Sequence, residues 1–340
     1  MNTTKALQDT QPSYIREILK AANSDGVISF AGGLPSLESF PMALIAQSLA
    51  KVATKAELFQ YASTDGHPPL VEYCRAQYLL NQSHQALISN GSQQGLDLIA
   101  RAFISPGDKV LVEAPSYLGA IQVFSLAQAN IISIASTSKG PELTELETIF
   151  SQQDIKIFYA VPDFHNPTGA CWSLQSRQQV AKLCRQYNVT LLEDIPYRAL
   201  RFSGENLPLV SSFCPDHCLV LHSFSKFIAP GMRLGLVTGK ETWIKALIKV
   251  KQAADLHTNT PMQALLLDVL THADFTLHKE ALVERYRKRY EYMAETIDQM
   301  IPQYATFESV QGGMFIWLKL PTCDTYKLAE HALKQAVAVV

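Results

Sequence analysis

Residues 218–239 read CLVLHSFSKFIAPGMRLGLVTG. Two apolar runs, 218–223 and 234–239, flank a segment that carries Ser225, Lys226 and Arg233. Each run has the length and composition of a buried strand. Only ten residues separate them, whereas a right-handed parallel crossover takes about a dozen or more and usually a helix. The spacing therefore predicts that the strand at 234–239 runs antiparallel, or sits apart from its predecessor. The two charges need a reason, because a buried lysine or arginine is costly unless it is paired or working.

Working outward, five more short apolar runs read as strands: ALIS (86–89), KVLVE (109–113), IISIA (131–135), IKIFYAV (155–161) and VTLLED (189–194). Helical patterns fill 93–104, 117–128, 142–152 and 174–187. This alternation predicts an α/β fold with a mostly parallel sheet covered by helices on both faces. Beyond 241 the chain turns helical. Tyr286, Tyr290, Met293, Ile297 and Met300 recur at steps of three and four, the pattern of one long amphipathic helix. The run ERYRKRYE on that helix reads as a solvated face, and GGMFIWLKLP (312–321) as a strand after a glycine turn.

The chain has 340 residues, 47% of them hydrophobic, with a net charge of −2. That is room for two domains or one large α/β domain. The near-neutral balance gives no reason to expect nucleic acid or an acidic membrane as partner. No secretory signal or membrane-length apolar run is visible. Six irregularly spaced cysteines read as reduced thiols in a cytoplasmic protein. CPDHC (214–218) resembles a metal site only loosely. It lacks a second pair at zinc spacing, so its thiols read as buried or loop residues and no metal is expected.

Polar residues gather after the strands: NGSQQGLDL, APSYLGA, PDFHNPTGA, EDIPY and FSKFIAPG. In an open parallel sheet that edge binds ligands. Turns collect Gly, Pro, Asn and Ser for their own reasons, but those reasons leave Asp194, Lys226 and Arg233 unexplained. Gly91-Ser92 suits either an anion site or an ordinary helix cap. Arg233 can hold a phosphate through two parallel hydrogen bonds. Lys226, desolvated near Arg233, becomes a carbonyl nucleophile. Asp194 can pair with a cationic ring nitrogen, and Tyr117 offers a stacking face. These parts suit pyridoxal phosphate. A rival is the S-x-x-K acylation motif, Ser223 to Lys226. Its companion elements S-D-N and K-T-G are missing, and the motif follows a strand rather than opening a helix.

Taken together, SYIREILK, ISFAGGLPSLESFP, YASTDGHPPL, SNGSQQGLDLIARAFISPGDKVLVEAPSYLGA, HNPTGA, LLEDIPYRALRF, SFSKFIAPGMRLG and GGMFIWLKLP resemble the fold-type I, class I/II aminotransferases that use pyridoxal phosphate. The likeness is strongest to the 2-aminoadipate, aromatic and multi-substrate subgroup. It implies a three-layer α/β/α large domain with a mostly parallel seven-stranded sheet, one strand antiparallel, and a smaller α+β domain. The implied division is 1–45 (N-terminal arm and part of the small domain), 46–285 (large, cofactor-binding) and 286–340 (small).

The resemblance also implies roles. Lys226 would form the Schiff base and shuttle the proton, and Asp194 would keep the pyridine nitrogen protonated. Asn166 and Tyr197 would hydrogen-bond the phenolic oxygen, and Tyr117 would stack on the ring. Ser92, Gln93, Ser223, Ser225 and Arg233 would bind the phosphate. Tyr61 would reach the phosphate of a neighbouring subunit, which implies a homodimer with shared sites. Gly33 and Asn166 would face the substrate, an amino acid or 2-oxo acid of glutamate, 2-aminoadipate or aromatic type. Arg16 stands where a distal substrate carboxylate is bound in the subgroup, and is also readable as a helix-surface arginine. His165 is expected to orient the Asn166 turn, Glu193 to be a solvent or inter-domain contact, and Asn166–Pro167 suits a cis bond.

One departure stands out. Family members continue some tens of residues past ALKQAVAVV, to an arginine that clamps the substrate α-carboxylate, and this sequence has no counterpart of it. The alternatives this leaves are a weak or inactive cofactor-binding homologue, and another reaction of the same cofactor, such as β-elimination or decarboxylation. The effector domain of a related regulator fits less well, because the chain opens directly into SYIREILK.

Overall fold

Alternation along the strands decides which face each side chain serves. Leu87, Val110, Val112, Ile157, Tyr159, Leu192, Leu219, Leu221 and Val237 point to one face, where helices Ser92–Phe103, Leu118–Leu126 and Glu241–Asp255 cover them. Leu111, Phe158, Leu191 and Val220 point to the other, under helices Leu143–Gln152 and Leu174–Gln186. Ala86, Ile88 and Leu236 continue that second face beneath Met42–Val52, Pro68–Tyr78 and Thr260–Leu270. The result is three layers, helix, sheet and helix. The structure is a computed structural model that describes residues 1–8, 26–78 and 81–339.

The strands are β1 (Ile28–Ser29), β2 (His84–Ser89), β3 (Lys109–Ala114), β4 (Asn130–Thr137), β5 (Gly140–Pro141), β6 (Ile155–Ala160), β7 (Thr190–Asp194), β8 (Cys218–Ser223), β9 (Gly235–Lys240) and β10 (Val337–Ala338). The large sheet has the order β2-β9-β8-β7-β6-β3-β4-β5. All seven expected strands are in it. Its eighth member, β5, has two residues and pairs antiparallel with the end of β4, too short to leave a sequence period. β9 runs antiparallel to both β8 and β2, the first of the two arrangements the spacing left open.

One expected strand is absent. GGMFIWLKLP forms no ladder: its pairings are the isolated bridges Arg201–Gly312 and Thr306–Lys319. A strand needs a neighbour over successive pairs, and these contacts do not continue. The two-stranded sheet instead pairs β1 with β10 in parallel, bringing residues 28–29 beside 337–338. The long helix is Phe275–Met300, with Leu282 and Tyr286 buried and Met300 exposed. On it Arg287 reaches Glu284 and Glu291, so the basic run is a solvated face laced by ion pairs. Among the described residues no helix is long and apolar enough to cross a membrane.

Candidate functional site

Gly235, the first residue of β9, pairs with both Ser89 and Ser223. Because β9 is antiparallel, its start meets the C-terminal ends of β2 and β8 at one edge. A Cβ on Gly235 would lie 2.6 Å from the carbonyl carbon of Gly91 and the nitrogen of Ser92, so glycine lets the 90–92 turn rest against β9. Gly91 has φ +79°, and Ser92 opens the helix Ser92–Phe103. The free N–H groups of that first turn face outward. Arg233 closes the turn from the other side: Nη2 donates to Asn90 O and Nη1 to Pro230 O, each at 3.3 Å. Its backbone is left-handed, φ 54°, which tips it back from the Pro230–Met232 turn toward Gly91. Ser223 and Ser225 are buried beside it, and Ser223 Oγ accepts from the Ser225 N–H. The S-x-x-K segment leads out of β8 and opens no α-helix.

Lys226 lies on the loop between β8 and β9. Its Nζ donates to Gly33 O at 3.1 Å and stands 5.6 Å from the Tyr197 ring centroid. Burial, and then the charge of Arg233, lower its pKa to about 8. Tyr197 is itself buried, and its hydroxyl accepts from Asn166 Nδ2 at 3.2 Å. Tyr117 donates to Gln93 Oε1 at 3.1 Å, which ties the turn after β3 to the helix after β2. Gln93 in turn donates to Gly119 O.

Asp194 ends β7 and is fully buried. Burial raises its pKa to about 7, against the hydrogen bond from Tyr159. Tyr159 donates to Oδ2 at 2.9 Å, and Oδ1 has no partner. An orphaned carboxylate oxygen is costly to bury, and a cationic N–H is the partner its chemistry asks for. The residues present therefore fit pyridoxal phosphate. The orphan oxygen suits a protonated ring nitrogen, the Gly91 turn with Arg233 suits a phosphate, and the depressed lysine suits an aldehyde.

The loop that carries Asn166 is braced from below. Asn166–Pro167 is cis, and so is Ala114–Pro115, which the sequence reading did not anticipate. His165 is buried and its Nδ1 pairs with Thr168 Oγ1 at 3.0 Å, an orienting contact. Burial lowers the His165 pKa against the pull of Glu113, 3.8 Å away. Asp163 anchors the loop to three arginines: Arg177 at 2.8 Å, Arg198 at 2.7 Å and Arg201 at 3.6 Å. Burial works to raise the Asp163 pKa, but Arg177 and Arg198 outweigh it and hold it below the usual range. The stability this lends is present above the ordinary carboxylate pKa and is lost as pH falls through the lowered value. Asp163→Ala leaves the fully buried Arg177 unpaired and should cost about 3–5 kcal/mol, read as a drop in urea midpoint at neutral pH.

One expectation needs correction, that for Glu193. Tyr61 is away from this cluster: it is exposed, with His257 at 6.0 Å edge-on. Arg16 lies outside the described residues. Glu193 is no solvent contact. It is fully buried and accepts the N–H groups of Val210 and Ser211 at 2.8 Å, capping the Val210–Phe213 turn. Cys214 and Cys218 are buried thiols, and burial pushes Cys214 up to about 12. Among the described residues no cluster of His, Cys, Asp or Glu is arranged to hold a metal ion. Tyr159 is a site residue that the sequence reading missed, although a tyrosine inside a buried strand signals a partner for its hydroxyl. Phe315 is another: it packs edge-on to Tyr197 at 5.4 Å, and its ring fills the space beside Gly33.

Comparison with known proteins agrees with this chemistry. The family model of class I and II aminotransferases matches residues 25–340. The 2-aminoadipate transaminase of Thermus thermophilus is 34% identical over 337 residues, covering 97% of this chain and 84% of that protein. Aromatic-amino-acid aminotransferase 1 of Thermococcus litoralis is 34% identical over 342 residues, covering 96% and 82%. The solved α-aminoadipate aminotransferase of Thermus thermophilus, complexed with N-(5′-phosphopyridoxyl)-L-leucine, superposes with a TM-score of 0.93 at 33% identity, covering 99% and 87%. A half-buried lysine with a lowered pKa, an orphaned carboxylate oxygen and a glycine–arginine cup thus stand on a fold shared with enzymes that handle phosphopyridoxyl groups, and the chain belongs to the class I and II aminotransferases, which use pyridoxal phosphate.

Proposed function

We propose that the enzyme moves the amino group between glutamate and a 2-oxo acid of 2-aminoadipate or aromatic type. The substrate class rests on the relatives, whose names carry 2-aminoadipate and aromatic amino acids. Lys226 supplies the observation that carries the reading: a depressed ammonium held by Gly33 O over the Tyr197 ring. When bound, pyridoxal phosphate supplies an electron sink that lets a substrate amino acid give up its Cα proton. Lys226 Nζ takes that proton as general base and returns it as general acid. Asp194 Oδ1 would accept from the ring nitrogen and hold its proton in place. Asn166 and Tyr197 would hold the phenolic oxygen, and Tyr117 would cover the ring. Ser92, Gln93, Ser223, Ser225 and Arg233 would hold the phosphate.

The same proposal includes a cytoplasmic homodimer, in which exposed Tyr61 completes the partner's phosphate site. Six free cysteines suit a reducing compartment. It also includes the division at 45 and 285, supported by the pairing of β1 with β10. The second boundary falls inside the unbroken helix Phe275–Met300. The direct test mixes holoprotein with a panel of amino acids and follows conversion to the pyridoxamine form. Glutamate and 2-aminoadipate or an aromatic amino acid should convert it, and failure of all of them would refute the reading.

A pH dependence follows from Lys226. Below a pKa of about 8 the ammonium predominates and cannot attack an aldehyde. Capture of pyridoxal phosphate by apoprotein should speed up about tenfold per pH unit and flatten above that value. A flat profile from pH 6 to 9 would contradict the depressed lysine.

A further inference from the structure

The phosphate cup has a charged support behind it. Lys251 and Asp255 sit one turn apart on the helix Glu241–Asp255, and Lys251 is fully buried. Its Nζ donates to both carboxylate oxygens of Asp255 at 2.8 Å and to Gln94 Oε1 at 3.1 Å. Asp255 Oδ2 also accepts from Asn90 Nδ2 and from Gln94 Nε2, each at 2.6 Å. Gln94 Oε1 in turn accepts the Asn90 N–H at 2.8 Å. Asn90 is thus held by side chain and backbone, and its carbonyl receives Arg233 Nη2.

A lysine carried wholly out of water is expensive, and hydrophobic residues of similar volume would fill the space at less cost. The network ends on the residue just before Gly91 and on the guanidinium opposite it. Such a network rigidifies what it touches when every member is satisfied. An anion site gains from that rigidity, because its donors then need no rearrangement when the charge arrives.

We infer that Lys251 and Asp255 are positioning residues for the phosphate cup, acting through Asn90 and Gln94 to fix the Gly91 turn and Arg233. This rests on the reading of Arg233 and the Gly91 turn as the phosphate site.

The experiment compares the affinity of apoprotein for pyridoxal phosphate and for pyridoxal, which lacks the phosphate. Three variants are measured: Asp255→Asn, the double variant Lys251→Met with Asp255→Leu, and Arg233→Ala. The double variant removes both charges together, so no buried ion is orphaned, and its thermal midpoint reports folding. Positioning predicts that the two Asp255 variants weaken pyridoxal phosphate at least about tenfold while pyridoxal changes less than about twofold, the scale seen for residues that support a bound charge. Unchanged affinities, or equal weakening of both ligands, would overturn the inference and leave the network a structural brace. Arg233→Ala separates the two levels. If it fails to reduce the preference for the phosphorylated ligand, the phosphate reading itself falls and the inference falls with it. If it reduces that preference and the Asp255 variants do not, the inference alone fails.

Discussion

Lys226→Ala is expected to lower transamination by at least about 10⁴-fold, the upper range for loss of one positioned acid–base group. Two functions leave together. The amine that captures the aldehyde is gone, and so is the base for the Cα proton. Nothing else described at this point replaces either. Gly33 O faces Lys226 Nζ as a backbone acceptor, and burial raises the Tyr197 hydroxyl well above the ordinary tyrosine range despite its bond from Asn166. A phenol so reluctant to ionise makes a poor base at neutral pH. Folding should survive, because alanine removes a half-buried charge and orphans no ion. The check is the half-reaction with glutamate, with cofactor binding measured alongside. A variant retaining a tenth of wild-type activity would remove Lys226 from the centre of the mechanism.

Asp194→Asn should cost about 10²–10³-fold in the same half-reaction, the scale for losing one preorganised electrostatic contact. The residue is poised. Burial, against the hydrogen bond from Tyr159, lifts its pKa to about 7, so Asp194 without a cationic partner would be partly protonated near neutrality. A cationic N–H facing Oδ1 reverses this, because an opposite charge favours the carboxylate. Asparagine keeps the shape and the contact with Tyr159 but loses the charge that holds a ring nitrogen protonated. Binding of pyridoxal phosphate should weaken less than turnover falls. If turnover and affinity fall equally, Asp194 acts on binding alone.

How far the sequence carried this depends on distance along the chain. Strands with a clean apolar run were legible, and so was the antiparallel β9, since a spacing rule forbade the parallel alternative. The five polar clusters were legible because each directly follows a strand. GGMFIWLKLP misled because composition reports a strand's preference and not the presence of a neighbour to pair with. Tyr159 was hidden inside a run that reads as core. Lys251 and Asp255 were hidden more deeply. They lie some 160 residues from Asn90 and Gln94, and no local period joins them. Glu193 was misjudged because a carboxylate next to Asp194 gives no hint of the backbone N–H groups brought to it by residues 210 and 211.

The meeting of Ser89, Gly235 and Ser223 has a consequence for how this segment can change over time. Residues 224–234 span a gap whose two ends are locked to each other in register, and the lysine and the arginine hang from that span at set positions. A substitution there alters chemistry at one place. An insertion or deletion shifts Lys226 against Arg233 and moves both against Gly91. The span works as a ruler, and lineages of this chain should tolerate replaced letters within 224–234 far better than a changed count.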